Sequence, residues 1–255
     1  PALWEALAEV GSDNVQGEVY LTDVVGIMAG HGQVVLAHTV EDASVVLGVN
    51  SRMDLSVVTG IMQQRILEHH LLSGVTITDP ASTYVESGVR IGRDTVIEPM
   101  TMLAGDTVVG EDCVIGPSTT MIDSSVDDGS TVVSSHLTGA EIAAGCSVGP
   151  FAYLRLGARL EAGAKAGTFV EIKNSLVGEG AKVPHLSYIG DAEIGAGTNI
   201  AAGNITANYD GVNKHRTVIG SNVNTGADTV FVAPVKVGDK AMTGAGSVIT
   251  GDVPA

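Results

Sequence analysis

Rings are scarce in this sequence. Phe, Trp and Tyr supply 4% of its 255 residues, although hydrophobic types reach 44%. An interior built from so few rings is narrow and fills with Val, Ile and Ala. Cations are scarce as well: 13 Lys and Arg stand against 29 Asp and Glu, a formal net charge of −16. That balance argues against nucleic acid or an anionic membrane as a general partner. No apolar run reaches the roughly 18–20 residues that cross a bilayer, and no N-terminal signal is visible. The 33 glycines follow no Gly-X-Y period, which excludes collagen, and they suit many tight corners instead.

What is present is a ladder of apolar residues spaced by six. Ile142, Val148, Leu154, Leu160, Ala166 and Ile172 keep the spacing, as do Ile91, Ile97, Leu103, Val109, Ile115 and Met121. Ile219, Thr225, Phe231, Val237, Thr243 and Ile249 form a third run. Gly commonly follows the apolar residue, and a small residue often sits four places on (Thr95, Thr119, Ala181). Six is neither the period of a helix nor plain alternation. It is the period of a hexapeptide β-helix, in which no coil buries its own apolar face and each stacks on the next. Cys113 and Cys146 both occupy the small-residue slot and read as buried thiols, which suits a reducing cytoplasm.

Taken in order, residues 1–53 read as a fragment of an α/β domain, too short and mixed to stand alone. Within it 33–37 and 44–49 are expected to be short buried strands. A linking α-helix is expected over 54–74, with Leu55, Val58, Met62, Ile66 and His69 on one stripe at helical spacing and Ser51 with Asp54 as its N-cap. His69 and His70 read as solvated. The β-helix is expected over 75–255 with two interruptions. Around 127–141 the sixes lose phase, with 134–136 expected as an outside loop. At 206–217 a polar stretch departs from the pattern, and such insertions leave a solenoid on one face, often the binding face.

The few cations are unevenly placed. None lies between Asp94 and Leu154, and seven fall between 155 and 216. Arg159, Lys165 and Lys182 suit solvated coil corners. Arg155, Lys173 and Lys214 suit a pocket for a small anion, most naturally phosphate. His185, next to Pro184, is either a corner histidine bonded to backbone or a base able to take a proton from an amine or alcohol. No Gly-x-Ser-x-Gly elbow, phosphate-binding P-loop or spaced His metal set accompanies them. A scaffold without catalysis remains the rival to an enzyme.

Four stretches sharpen the choice. Gly149-Pro150-Phe151-Ala152-Tyr153-Leu154-Arg155, Phe169-Val170-Glu171-Ile172-Lys173, the run from His185 to Gly195, and Asn208-Tyr209-Asp210-Gly211-Val212-Asn213-Lys214 resemble the acetyltransferase half of the bacterial bifunctional N-acetylglucosamine-1-phosphate uridyltransferase / glucosamine-1-phosphate acetyltransferase family. Residues 16–23 and 48–52 resemble the end of the uridyltransferase half. The resemblance implies a left-handed parallel β-helix, an exception to the right-handed crossover rule, and a cytoplasmic homotrimer with sites between subunits. It implies acetyl transfer from acetyl-CoA to the amine of glucosamine 1-phosphate, a step towards cell-wall precursors. It casts His185 as general base and Arg155, Lys173, Tyr188, Asn199 and Lys214 as substrate ligands. Ala202, Asn208, Tyr209, Ala227 and Ala245 become contacts of acetyl-CoA.

There are departures. Ala227 stands where related enzymes often carry Ser, and Leu156 where Pro is usual. An arginine of the family's C-terminal tail has no counterpart up to Ala255, so a raised KM for acetyl-CoA is expected relative to a chain that carries it. Asn50 resembles one ligand of the family's Mg²⁺ and nucleotide site, but the Gly-rich loop and the aspartate that complete it have no counterpart here. Mg²⁺ binding and uridyltransferase activity are therefore not expected.

Overall fold

The computed structural model describes residues 2–255. It divides into two units, one ending at Asp54 and one running Leu55–Ala255. The first holds helix α1 (Ala2–Glu9), helix α2 (Asp23–Gly30) and a single 3-10 turn, Ala43–Val46. The two strands expected here do not form. Residues 33–37 carry no strand, with Val34 and Leu36 more than four-fifths exposed, and the 44–49 stretch contains the 3-10 turn, opened by Asp42 accepting from Ser44 N at 2.9 Å. Both segments are β-branched and apolar, but a strand also needs a neighbour for its N–H and C=O groups. Among the described residues none pairs with them, and Ala6 and Val24 are the buried hydrophobic residues of this unit.

Helix α3 spans Arg52–Leu72 and begins as its sequence requires. Ser51 Oγ accepts from Asp54 N at 3.1 Å, and Asp54 Oδ2 accepts from Ser51 N at 2.8 Å, a reciprocal cap. The buried face is rotated from that stripe. Gln63, Ile66, Leu67 and His70 face inward, whereas Leu55, Met62 and His69 are exposed. The cause is polar: Gln63 Nε2 donates to the carbonyl of Val85 at 3.2 Å, anchoring a face that apolar periodicity cannot reveal. His70 is consequently buried rather than solvated, and burial, with the neighbouring His69, pushes its imidazole below its ordinary range.

From Val75 onward the chain is a parallel β-helix of about ten coils, the architecture of the left-handed hexapeptide solenoid. Strands of two to four residues stack into three parallel sheets. The first has seven strands, from Thr76–Ile77 to Lys182–His185; the second ten, from Tyr84–Val85 to Val248–Ile249; the third nine, from Arg90–Ile91 to Val235–Val237. The rungs point inward: Ile97, Leu103, Ile115, Met121, Leu154 and Ile172 are fully buried. Each such side chain contributes about 1.5–3 kcal/mol by leaving water.

The small slot has its own hydrogen-bond logic. Cys113 N donates to Thr95 Oγ1 at 3.0 Å, and Cys146 N to Ser130 Oγ at 3.0 Å, so a hydroxyl in the slot takes the N–H of the next coil. Both thiols are free and buried, and burial raises their pKa values. The coil carrying Ser130 separates them, so they lie two strand spacings apart, about 10 Å, beyond the reach of a disulfide.

The expected interruption at 127–141 is absent. Ile115 pairs with Val132, Met121 with Leu137 and Val126 with Ile142, so the coil continues with sixteen or seventeen residues instead of eighteen. Residues leave at the corners, which breaks the sixes without breaking the stack. Ser135 is buried with its hydroxyl on the Val133 carbonyl at 2.7 Å, and His136 opens a strand. The second departure is a true excursion. Ile194 pairs with Ile219 and Thr206 with Phe231, steps of twenty-five residues, and the surplus forms the loop after Asn208.

Candidate active site

The second sheet is bounded by two corners, and the candidate residues divide between them. His185 ends a strand of the first sheet, just before the corner at Leu186. Gly203 N donates to the His185 carbonyl at 3.3 Å, Asp228 N to that of Ala202 at 2.8 Å, and Gly246 N to that of Ala227 at 2.8 Å. His185, Ala202, Ala227 and Ala245 therefore form one column, an exposed imidazole followed by three methyl groups. The coil beneath approaches closely: a Cβ on Gly167 would fall on the carbonyl of Pro184. Phe169 and Leu186 stand exposed beside the column at φ 56° and 52°, and Phe169 stacks on Phe151 with centroids 5.3 Å apart. Asn199 lies on the first sheet's outer face, bridged to Lys182 and Asn224.

The other corner is charged. Leu154 pairs with Ile172, and Arg155 N donates to the Ile172 carbonyl at 2.8 Å, so Arg155 and Lys173 occupy one corner of successive coils, as their spacing predicts. Arg155 Nη1 lies 2.8 Å from Glu171 Oε1, which holds the guanidinium above its ordinary range, and the group sits over the Tyr153 ring at 5.8 Å. Lys173 Nζ is 3.8 Å from Asp191 Oδ2. Lys214 reaches in from the excursion and lies against Lys173; that contact, more than any other, lowers its pKa. Tyr188 is within electrostatic reach of both Arg155 and Lys214. Its hydroxyl fits because residue 190 is glycine, where a Cβ would strike that hydroxyl and the Asn208 amide.

The excursion is held in shape by Asp210. Its carboxylate accepts from Asn213 N at 2.6 Å, from His215 Nε2 at 2.7 Å and from Val212 N at 2.8 Å, which pulls its pKa down to about 2. A bridge between Tyr209 and Lys214 closes the turn.

The structure thus brings together Arg155, Lys173, Tyr188 and Lys214. It does not bring His185 to them within one chain. Leu186 to Gly190 is four residues of extended chain, about 13 Å at roughly 3.3 Å each. Asn208 lies in the charged cluster and Tyr209 in the excursion, both away from the alanine column. Asn50 lies in the loop before α3, and the carboxylate of Asp54 is already taken up by the N–H groups of Asn50 and Ser51. Among the described residues no three His, Cys, Asp or Glu side chains converge. Sequence reasoning passed over Asp191 and Glu171. Both lie inside the motifs that carry the resemblance, but a search for cations in an acidic chain gives one more carboxylate no weight.

The family "Bacterial transferase hexapeptide (six repeats)" matches residues 85–123 and 216–251. Bifunctional protein GlmU of Mycolicibacterium vanbaalenii is 52% identical over 253 residues, 99% of this chain and 51% of the relative. Over this span the chain is similar to the C-terminal part of bifunctional GlmU proteins. Bifunctional protein GlmU of Mycobacterium avium is 53% identical, over 99% of this chain and 52% of that one. The chain spans about half the length of the GlmU relatives it matches. Among solved structures, a UDP-N-acetylglucosamine acyltransferase from Campylobacter jejuni shares 17% identity at a TM-score of 0.48, over 62% of this chain and 67% of the other. No helix of the described residues is long and apolar enough to cross a membrane.

Proposed function

We propose that this chain transfers an acetyl group from acetyl-CoA to the amine of glucosamine 1-phosphate, with N-acetylglucosamine 1-phosphate and CoA as products. The observation that carries the reading is the meeting of Lys173 and Lys214 around one carboxylate, with Arg155 one coil below. Two ammonium groups in contact repel, and an anion between them relieves the repulsion. A sugar phosphate supplies that anion, and Tyr188 and Asn199 suit its hydroxyls.

The alanine column supports the other substrate. Three methyl-sized residues in line leave a shallow track along the solenoid axis, suited to the long pantetheine arm of acetyl-CoA, and the track runs to His185. There His185 accepts the proton of the amine as the C–N bond forms at the thioester carbonyl. It returns the proton to the departing thiolate, so the base is regenerated and no charge is lost. Asn208 and Tyr209 serve as further contacts of acetyl-CoA when supplied across an interface.

Because His185 and the cations occupy different corners, the reading requires neighbouring copies, and we propose a homotrimer that apposes the His185 corner of one subunit to the charged corner of the next. The exposed Phe151, Phe169 and Leu186 are apolar surface suited to that contact. A thiol-release assay tests the whole reading. Acetyl-CoA with glucosamine 1-phosphate should release CoA, and acetyl-CoA with glucosamine lacking the phosphate should release little. Equal rates with both acceptors would remove the role given to the cations.

A further inference from the structure

We infer that Asp191 is a positioning residue for the substrate phosphate: its buried carboxylate gathers Lys173, Lys214 and the loop that carries Lys214 into one anion-binding arrangement. The inference rests on the reading of the charged corner as the sugar-phosphate site.

Asp191 is 8% exposed and stands at the corner with φ 49°, a left-handed conformation that Asp tolerates better than most residues. The coils below and above both reach its side chain. Asn174 Nδ2, from the coil below, donates to Oδ1 at 2.6 Å; Asn208 Nδ2, from the coil above, donates to Oδ2; Lys173 Nζ approaches Oδ2 at 3.8 Å. Its backbone joins the same parts. Asp191 N donates to the Lys173 carbonyl at 3.0 Å, and Thr217 N donates to the Asp191 carbonyl at 3.2 Å. Asn208 opens the excursion and Thr217 closes it, so both ends of the loop bearing Lys214 are tied to this one residue. The neck is tightened by His215 N on the Asn208 carbonyl at 2.8 Å.

The charges explain why a carboxylate is needed. A buried carboxylate must be compensated, and here burial, which acts to raise its pKa, is outweighed by the two amide donors and the two lysines. One carboxylate cannot neutralise two ammonium groups. Around Asp191 a positive charge is left over on the outward side, and Arg155 adds to it with part of its charge spent on Glu171. Asp191 holds the lysines close enough to repel; the sugar phosphate then completes the neutralisation. Without the carboxylate the two cations would part, and the loop would lose its side-chain anchor at Asn208 while the main-chain bond from Thr217 stays.

Asp191→Asn in the full chain tests this. It keeps the volume but removes the charge and sets an amide against the amide of Asn174 or Asn208. The KM for glucosamine 1-phosphate should rise about tenfold or more, as for a lost charged hydrogen-bond partner, while the KM for acetyl-CoA holds. Asp191 favours protonated Lys214, so its loss should also move the alkaline limb of sugar-phosphate binding to lower pH. A residue needed only for folding would not move that limb. Asp191→Glu, which keeps the charge, should restore it. Should Asp191→Asn fail to fold, Asn208→Ala takes its place, with KM for the sugar phosphate raised and the limb unmoved; an unchanged KM would count against the inference.

Wild-type turnover is measured first, because its absence refutes the acetyltransferase reading by itself. Titration of the same proteins with inorganic phosphate, followed by ³¹P NMR, then still reports on Asp191. Weaker phosphate binding in Asp191→Asn supports the inference. Equal phosphate binding, or an unchanged KM and alkaline limb, overturns it.

Discussion

The two corners of the second sheet are built on the same rungs and differ in what the rungs carry. One holds an exposed imidazole and then nothing larger than a methyl group for three coils. The other holds Arg155, Glu171, Lys173, Asp191 and Lys214, tied together across coils and by a loop. Among the described residues the hydrogen bonds of the first corner go to main-chain carbonyls, those of His185, Ala202 and Ala227. The second is saturated with side-chain partners. A group that moves a proton has to stay unengaged, whereas a group that binds a fixed anion gains from being held in advance. The solenoid supplies both conditions because its corners are independent of its core.

That contrast can be broken most forcefully at His185. His185→Ala should lower kcat by about 10²–10⁴, with thermal stability close to wild type because the residue is exposed. Melting curves beside steady-state rates check this, and a large loss of stability would mean that the residue is structural. Lys173→Gln should instead raise the KM for glucosamine 1-phosphate by roughly tenfold to a hundredfold, the loss of about 1.5–3 kcal/mol expected for a charged hydrogen bond. On the alanine corner, Ala227→Leu should raise the KM for acetyl-CoA by about tenfold, because a branched side chain costing about 1–3 kcal/mol blocks the track; the KM for the sugar phosphate should stay put.

The smallest effect concerns the loop. Asp210 has its folded-state pKa lowered from 3.8 to about 2. A carboxylate so depressed stabilises the fold fully above its unfolded value, and the contribution is lost as pH falls from 3.8 through about 2. Backbone amides of Val212 and Asn213 should therefore lose protection from hydrogen exchange in that window, while those of the neighbouring rungs keep theirs. Simultaneous loss in both places would show that the loop is not a separate element.

The rungs were legible because burial repeats: every inward side chain meets the same narrow interior, so Ile142 to Ile172 keep one period. The stacking of Arg155 on Lys173 followed from the same count. What escaped the period was set by polar groups and by length. Gln63 turned α3 by fixing itself to a carbonyl, which hid the burial of His70. Shortened corners between Met121 and Ile142 imitated a loop. Residues 33–37 had strand chemistry but no partner edge. At the site, the cations and His185 could be named from the sequence, since each is an exception to its surroundings. Asp191 could not, because its importance lies in the coils above and below it, which only register reveals.

The claim that two unlike corners make one site is tested most directly by co-expressing His185→Ala with Lys173→Gln. Each variant alone should be nearly inactive at low sugar-phosphate concentration. In mixed trimers, about a quarter of the interfaces would pair an intact His185 from one subunit with an intact Lys173 from its neighbour, given random assembly of a cyclic oligomer. The account predicts that CoA release in the mixture rises well above the sum of the two variants measured apart. Activity no greater than that sum would contradict it.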